Sequence, residues 1–441
     1  MSMDQTISNE SVNRYGGVMF TLLAMMLICL FALQFIVDPL GIFDTRIDRF
    51  DKHRSMHSRI AKAEAANRRS HDTVLLGSSR FEAGFDPDDP MWGDADVLNF
   101  SLAGANFIET RQAWELLEQT HPPQRLLIDV SLFTLNTGVG PADDYALSRL
   151  IAMEPSSRNE TPDWIDAIRL TTPPGGVSLE TRLNWVFGLP QIRKAVGAAI
   201  RGLREPESNR YTNERGFGVR LDRADDNRHW FEKSLADFMQ KTESYNGFEL
   251  AEDRIRMLQE IVEEAVAMSI KVDIVMPPVH VTQLEVMDRM GLAEAYDQLR
   301  IEITELAAAH PSLVRAWDFS NWSGITAEAI TDKSSSPMKY FHESSHFTDD
   351  TGSLLLKGLY GDSNEQQLLQ QMGGFGTQLL PSSITPYVDQ WHQAKEAWRN
   401  DNPDIMDWID GLWDQTASER ARRLRVKEAR DKGIGGMQLI P

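Results

Sequence analysis

The chain has 441 residues, which is long enough for one large domain with additions or for two domains. Its net charge of −20 would repel polyanions, so the composition argues against a nucleic-acid partner. Its only cysteine, Cys29, lies in an apolar run, which excludes disulfides, cysteine catalysis and thiolate metal sites from the rest of the chain.

An apolar segment near the start predicts a membrane anchor. Residues 18–37 form a run of 20 without a charged side chain, after a tail at 1–17. A helix of that length spans roughly 30 Å, the thickness of the hydrocarbon core of a bilayer. The segment continues into Asp38-Pro39-Leu40 rather than into a small-residue cleavage site, which favours an uncleaved, single-pass signal anchor. A buried core helix is the alternative.

Basic residues flank this segment unequally. Arg14 is the only Lys or Arg before the anchor, whereas four follow it closely: Arg46, Arg49, Lys52 and Arg54. The positive-inside rule, taken alone, therefore places the large domain in the cytoplasm.

The rest of the chain predicts an α/β fold, with a three-layer, mainly parallel, five-stranded sheet between helices. Short β-type runs alternate with amphipathic stretches, which is typical of βαβ units. The β-type runs are residues 73–76, 97–101, 126–130, 272–276 and 313–319, and helical patterns cover 108–119, 251–270 and 283–309.

These patterns divide the chain after the anchor into three parts. We assign residues 38–70 to a juxtamembrane helix or stalk, 71–362 to the α/β domain and 363–441 to a helical C-terminal extension. Residues 138–249 form a long insertion within the domain, with helical pieces near 163–170 and 189–203. An insertion of this length usually forms a lid or an accessory lobe.

The first predicted strand ends in a motif that presents a hydroxyl group. Residues 71–80 read HDTVLLGSSR, an apolar strand followed by Gly77, two serines and Arg80. Ligands of open parallel sheets bind beyond the carboxyl ends of the strands. Ser79 is therefore a candidate nucleophile, and Arg80 a candidate for binding substrate or balancing a carboxylate. An ordinary turn or helix cap is the alternative.

The ends of later strands add candidates at the same sheet edge. After the second strand, Gly104 would allow a turn whose N–H points into the crevice, and Asn106 would add an amide donor or cap the next helix. After the fourth strand, VMPPVH ends in His280, either a substrate contact or a loop histidine without a role. After the fifth, Trp317 and Asp318 line the crevice or bond locally.

The segment HESSH, residues 342–346, has two interpretations. It matches the H-E-x-x-H pattern of zinc peptidases, which requires both histidines on one face of a regular helix. The local sequence favours a loop instead, because Thr348 is a good N-cap and the apolar face begins only at Leu354. In such a loop Glu343 can orient His346, which then serves as the base for a serine hydroxyl.

The ordered set of strand-GSSR, the Gly104 turn and E-x-x-H before the last helix resembles the SGNH/GDSL hydrolase superfamily. The family's nucleophile corresponds to Ser79, its second-block glycine to Gly104, and its D-x-x-H pair to Glu343 and His346. The resemblance implies a flavodoxin-like sheet and an oxyanion hole built from the N–H groups of Ser79 and Gly104 with Asn106.

The anchor makes the chain most similar to membrane-anchored SGNH-like proteins of the bacterial envelope, such as alginate O-acetylation proteins. This resemblance implies an inner-membrane protein with a periplasmic soluble domain. It also implies hydrolysis or transfer of an acyl group, acetyl in particular, with an envelope glycan or an acyl-donor protein as partner and without a cofactor or metal.

The chain departs from the family in the block that follows the third strand. The family's G-x-N-D is absent from LLIDVSLFTLN, so its oxyanion-binding Asn has no counterpart unless Asn106 or Asn136 replaces it. Loss of one oxyanion donor typically costs about 10²- to 10³-fold in rate. A catalytically degenerate scaffold or glycan-binding component is therefore the alternative to an esterase, and a zinc peptidase is a third hypothesis.

Overall fold

The computed structural model describes residues 9–45, 47–54, 59–142, 145, 179–205, 208–220, 226–331 and 337–432. The helical piece predicted near residues 163–170 lies outside these ranges. The described strands are β1 (Thr73–Leu76), β2 (Val97–Asn99), β3 (Arg125–Asp129), β4 (Arg210–Thr212), β5 (Gly218–Arg220), β6 (Lys271–Met276), β7 (Val314–Asp318) and β8 (Thr377–Leu379).

The helices lie between the strands and at both ends of the chain. The first seven are α1 (Asn9–Val37), α2 (Asp48–Asp51), α3 (Arg59–Arg68), α4 (Ser79–Gly84), α5 (Phe107–Thr120), α6 (Leu179–Phe187) and α7 (Leu189–Arg204). The others are α8 (Asn227–Gln240), α9 (Glu252–Ala267), α10 (Val281–Arg289), α11 (Ala293–Ala309), α12 (Asp349–Tyr360), α13 (Ser363–Gln371), α14 (Ile384–Asp401) and α15 (Pro403–Asp431).

A six-stranded, mostly parallel sheet organises the domain. Its order is β2-β1-β3-β6-β7-β8, and only β8 runs antiparallel to its neighbour. The chain passes from β1 to β2 on one side and then to β3 on the other, so the strand order reverses direction beside β1. Ligands of doubly wound sheets bind at such a switch point, beyond the carboxyl ends of the strands. Ser79 follows β1 there.

Both faces of the sheet are buried. Val74 and Leu76 of β1 belong to one core cluster, whereas Leu75 belongs to a second cluster. Successive side chains of a strand point to opposite faces, so the two clusters lie on opposite sides of the sheet. The first cluster includes residues of α5, α9 and α11, and the second includes residues of α4 and α12. The predicted helix–sheet–helix layering is therefore confirmed.

The predicted sheet lacks one strand. All five predicted runs form parallel strands, but the sixth strand, β8, comes from the segment that we assigned to a helical C-terminal extension. Its three residues pair with Ala316, Trp317 and Asp318 of β7. The prediction missed β8 because three residues are too short a run for a periodic pattern.

The N-terminal helix α1 contains one candidate membrane span, Arg14–Val37, identified by its length and composition. Beyond it, α3 belongs to the globular domain rather than to the stalk that we assigned to this region. Arg59 and Lys62 of α3 are buried, and each has a carboxylate partner: Glu109 at 2.5 Å and Glu82 at 2.7 Å. Charged residues usually indicate a solvent-exposed helix, but in α3 they are buried in ion pairs. The sequence of α3 therefore resembles that of an exposed helix.

The described part of the insertion consists of α6, α7, the hairpin β4–β5 and α8. The turn of the hairpin is hydrogen-bonded to the sheet. The Arg215 carbonyl accepts from the backbone N–H of Asn99 at 2.8 Å. Lys62 also donates to the Gly216 carbonyl at 2.8 Å. Helix α8 packs against α15 of the C-terminal extension. The insertion therefore connects β2 with the C-terminal part of the chain.

Two glycines allow α4 and α12 to cross in direct contact. A Cβ atom on Gly352 would overlap the carbonyl oxygen of Gly84, and a Cβ atom on Gly84 would overlap the ring of Phe347. Helix α4 begins at Ser79, and Phe347 directly follows His346. The crossing therefore sets the distance between the two segments that carry the candidate nucleophile and base.

We predict that Gly352→Ala separates α4 from α12 and lowers the free energy of unfolding by about 3 kcal/mol, because the clash is with backbone rather than with a flexible side chain. Gly411→Ala in α15 is the matched control, since a Cβ atom there meets nothing within 4 Å. It should stabilise the helix by up to about 1 kcal/mol. Urea unfolding of the detergent-solubilised chain measures both, and equal stability of the two variants would contradict the close crossing.

Candidate active site

Ser79 lies in the turn that follows β1, and this turn is hydrogen-bonded to the end of β3. Ser78 caps α4, and its Oγ accepts a hydrogen bond from the Arg80 N–H at 3.4 Å. At the end of β3, Asp129 accepts from the N–H of Ser78 at 3.0 Å and from its hydroxyl at 2.6 Å. Ser79, one residue further on, is the first residue of α4 and is partly exposed.

His346 lies in a loop before α12, as predicted. Phe341 and Phe347 form an antiparallel bridge that closes this loop, and the His342 N–H donates to the His346 carbonyl at 2.9 Å. Thr348 caps α12, since its side chain accepts from the Thr351 N–H. The two histidines of HESSH therefore do not share a helical face, and the geometry that a zinc peptidase requires is not present. Within the described ranges, no group of three or more potential metal ligands occurs.

Three predicted residues meet in one hydrogen-bonded row. Nε2 of His346 lies 2.8 Å from Oγ of Ser79. Its other ring nitrogen, Nδ1, is hydrogen-bonded to Oε1 of Glu343. With the proton on Nδ1, the imidazole accepts from the serine hydroxyl and donates to the carboxylate. This is the arrangement by which a histidine base is oriented toward a serine nucleophile.

Glu343 is longer than the Asp of the D-x-x-H pattern, and its side chain folds back onto its own loop. Its carboxylate accepts from the N–H groups of Ser345 at 3.0 Å and His346 at 2.9 Å. Burial would raise the pKa of Glu343, but the adjacent His346 ring and hydrogen bonds from His346, Ser234 and Ser345 hold it well below its ordinary value. The carboxylate of Glu343 therefore remains ionised at neutral pH.

Further polar residues extend the row behind Glu343, and our predictions did not include them. The hydroxyl of Ser234, in α8 of the insertion, donates to Glu343 and lies 2.6 Å from the hydroxyl of Ser344. Ser344 donates to Gln283 at 3.2 Å, and Gln283 donates to the hydroxyl of Tyr245 at 2.8 Å. No local pattern identifies Ser234, because its partner is 109 residues away in sequence.

The row opens into a cavity of about 360 Å³. Ser79, His346 and Arg80 line its floor side, and the insertion supplies much of its wall. The wall combines aromatic and basic side chains: Trp230, Phe238, Arg210, Arg220, Lys233 and Lys241. A concave site with an apolar wall and convergent polar groups is typical of small-molecule binding and catalysis.

The predicted oxyanion donors are not all available. Gly104 has a φ of +68° and lies in the loop after β2, where the Leu102 N–H donates to the Gly77 carbonyl at 2.8 Å. Asn106 caps α5 instead: its side chain accepts from the Glu109 N–H at 3.1 Å and donates to the Val139 carbonyl at 2.9 Å. The side chain of Asn136 is bonded to the Ser244 carbonyl and the Gly138 N–H. Neither asparagine side chain faces the cavity, and Gly104, which is exposed, is not among the residues that line it.

Of the two predicted substrate-binding residues, only Arg80 borders the cavity. It is 5% exposed and hydrogen-bonded to Tyr245, and its charge acts on Asp129. Burial raises the pKa of Asp129 despite this nearby cation and the hydrogen bonds from Ser78. Arg80 thus acts electrostatically on a buried carboxylate, in addition to its place at the cavity.

His280 does not face the cavity. Its side chain packs behind the loop that carries Glu343. Its ring is buried between Phe231 and Phe341, and its Nε2 is bonded to the Glu328 carbonyl at 2.8 Å. Its backbone N–H donates to the Ser344 carbonyl at 2.9 Å. Asp318, the candidate at the end of β7, is likewise bonded locally, to Arg300 at 2.7 Å and to the Ser320 N–H at 2.7 Å.

Burial lowers the pKa of His280 from 6.5 to about 4, so the unfolded chain takes up a proton at a higher pH than the folded one. The folded state therefore loses stability as the pH falls below about 6.5. At pH 5 the loss relative to pH 7 is about 2 kcal/mol. We predict that His280→Asn removes this part of the pH dependence, measured by urea unfolding at the two pH values. His229→Asn, at an exposed position, is the control, and an unchanged pH dependence in His280→Asn would contradict the prediction.

Two comparisons with known proteins found no match to this chain. No protein-family model matches the chain, and no curated protein matches it. The candidate site is consequently defined by the contacts among Ser79, His346 and Glu343 and by the cavity in front of them.

Proposed function

We propose that the protein is a membrane-anchored serine esterase or O-acyltransferase of the SGNH type, which acts on acyl esters, acetyl in particular, of a cell-envelope glycan. The observation that carries this proposal is the row Ser79–His346–Glu343, with 2.8 Å between the serine hydroxyl and the imidazole. The order of the five parallel strands, which is that of flavodoxin-like sheets, agrees with it.

The first half-reaction forms an acyl-enzyme. Oγ of Ser79 attacks the acyl carbonyl carbon and its proton passes to Nε2 of His346, while Glu343 stabilises the imidazolium. The tetrahedral intermediate then expels the alcohol, which takes the proton from Nε2 as it leaves. The low pKa of Glu343 suits this role, because an ionised carboxylate is required throughout.

The second half-reaction decides between hydrolysis and transfer. His346 removes a proton from water or from a sugar hydroxyl, whose oxygen attacks the acyl carbon bound to Ser79. The tetrahedral intermediate then breaks the bond between the acyl carbon and Oγ of Ser79, and Oγ takes the proton back from Nε2 as the acid or the new ester leaves. The ring of Trp230, 38% exposed at the cavity, offers a flat apolar surface for a sugar. We place the soluble domain on the periplasmic side, where envelope glycans are available, and the candidate span Arg14–Val37 then anchors it in the inner membrane.

The oxyanion would be bound mainly by the backbone N–H of Ser79, because Gly104 does not line the cavity and the side chains of Asn106 and Asn136 are committed elsewhere. This observation also favours the second candidate function, a catalytically degenerate SGNH scaffold or glycan-binding component of an envelope assembly. A site with fewer oxyanion donors is slower, by about 10²- to 10³-fold for each donor lost.

We predict that a fluorophosphonate probe labels the full-length protein covalently at Ser79, and that Ser79→Ala loses both this label and the hydrolysis of a nitrophenyl acetate. Loss of the hydroxyl removes the only group that bonds to Nε2 of His346 in the row. Ser382→Ala, an exposed serine outside the site, should keep label and activity. Labelling that persists in Ser79→Ala, or no labelling of the wild type, would favour the degenerate scaffold.

We predict that Glu343→Gln lowers kcat/KM for the same ester on the order of 10³-fold, because an amide neither fixes the Nδ1 tautomer nor stabilises the imidazolium. Glu343→Asp is the matched variant: it keeps the charge and should lose much less. Equal losses in the two variants would indicate that the carboxylate acts only through packing.

A further inference from the structure

Helix α7 of the insertion lies beside the end of the membrane anchor. It packs against α1 and α2, and a Cβ atom on Gly202 would clash with the Arg49 carbonyl and the Phe50 ring. Along α1, the fully buried residues are Gln34 and Val37, so the contact with the domain is at the last turns of the anchor. The anchor's apolar window also ends at Val37, which places α7 at the level where the bilayer meets water.

The two faces of α7 have opposite character. Its inner face, which is buried against the protein, consists of small and polar residues: Gln191, Ala195, Ala198 and Gly202. The opposite face carries an apolar stripe of Leu189, Val196, Ile200 and Leu203, which are 69%, 41%, 46% and 62% exposed. The intervals of seven, four and three residues place all four on one side of a helix. The ordinary amphipathic arrangement of a soluble protein is thus reversed.

The charges of α7 oppose those of the whole chain. Its sequence, LPQIRKAVGAAIRGLR, contains four basic residues and no acidic residue, whereas the chain has a net charge of −20. Arg193 and Arg204 are exposed. In the part of the chain that the structure describes, no carboxylate pairs with Arg193, Lys194 or Arg201. The basic groups on this helix are therefore available to an anionic surface.

A cavity of about 450 Å³ separates α7 from the residues that follow the anchor. Its cationic lining comprises Arg54, Arg193, Lys194 and Arg201, next to His53 and Pro39. The Arg54 side chain is 4% exposed and pairs with Asp51 through Nη1 at 2.9 Å, but its Nε and Nη2 atoms are buried without a hydrogen-bond acceptor. Nη2 has only a distant contact of 3.9 Å with Asp38. Buried guanidinium N–H groups normally have acceptors, so an acceptor is missing from this cavity.

We propose that α7 lies in the membrane interface, with the apolar stripe inserted among lipid chains and the phosphate of an anionic phospholipid bound in the basic cavity. Helices with an apolar face and flanking basic residues bind bilayer surfaces in this way. A lipid phosphate would supply acceptor oxygens for Arg54 and charge partners for Arg193, Lys194 and Arg201. The insertion that walls the candidate active site would thereby be fixed to the bilayer at a second point, besides α1.

The position of the apolar stripe is tested with spin labels on the full-length protein in nanodiscs that contain phosphatidylglycerol and phosphatidylcholine. Cys29→Ser removes the native thiol, and Ile200→Cys then carries a nitroxide. Val426→Cys, at a residue that is 40% exposed on α15, is the matched control. We expect the label at position 200 to be relaxed by oxygen and shielded from a water-soluble nickel chelate, with the opposite result at position 426.

Two outcomes would overturn the insertion of the stripe. A label at position 200 that is as accessible to nickel as the label at position 426 would show a stripe in water. A label at position 200 that is shielded from both relaxants would show that a protein, either a second copy or a partner, covers it instead.

The lipid site is tested by thermal unfolding of the detergent-solubilised full chain with short-chain phosphatidylglycerol, short-chain phosphatidylcholine or inorganic phosphate. We expect phosphatidylglycerol to raise Tm and the other two to leave it nearly unchanged. The triple variant R193Q/K194Q/R201Q should lose this rise. R422Q/R423Q/R425Q removes the same charge from α15 and should keep it. An equal rise with phosphate or phosphatidylcholine, or a rise retained in the first triple variant, would overturn the headgroup site.

Discussion

The backbone contact between Gly84 and Gly352 is the constraint on which the candidate site depends. Ser79 and His346 are 267 residues apart in sequence, and each lies within one or two turns of this contact. The Ser78 cap starts one of the crossing helices and the Thr348 cap starts the other. Because the crossing is a backbone contact and both capping side chains lie outside the row, the distance between the serine and the imidazole is set before any side chain of the row is considered.

Glu343, the acid of the hydrogen-bonded row, has hydrogen-bond partners in two parts of the protein. Its backbone N–H donors and its histidine come from the loop before α12, but one hydroxyl donor, Ser234, comes from the insertion. A displacement of α8 would remove that donor and open the cavity wall together, so the ionisation of Glu343 and the shape of the cavity are coupled. The insertion is therefore part of the site rather than an appendage of it.

Local patterns predicted the parallel strands, the loop position of His346 and the cap at Thr348, because each depends on a few consecutive residues. They did not predict β8, the burial of α3 or the role of Ser234. Lys62 reads as a surface residue until Glu82 is known to lie beside it. Asn106 had two possible roles, and capping, the local one, accounts for its contacts. Sequence reasoning thus fails where a polar side chain finds its partner only in the folded chain.

The three residues of β8 close the edge of the sheet that β7 would otherwise expose. Behind them, Tyr387 and Trp391 of α14 bond to Asp318 at 3.0 Å and to the Ser320 carbonyl at 2.8 Å. A chain shortened before Thr377 would leave β7 with a free row of backbone donors and acceptors, next to a buried Asp318 that has lost a ligand. Such an edge is a template for pairing between molecules, so trimming this protein to its parallel strands would result in aggregation rather than in a smaller folded domain.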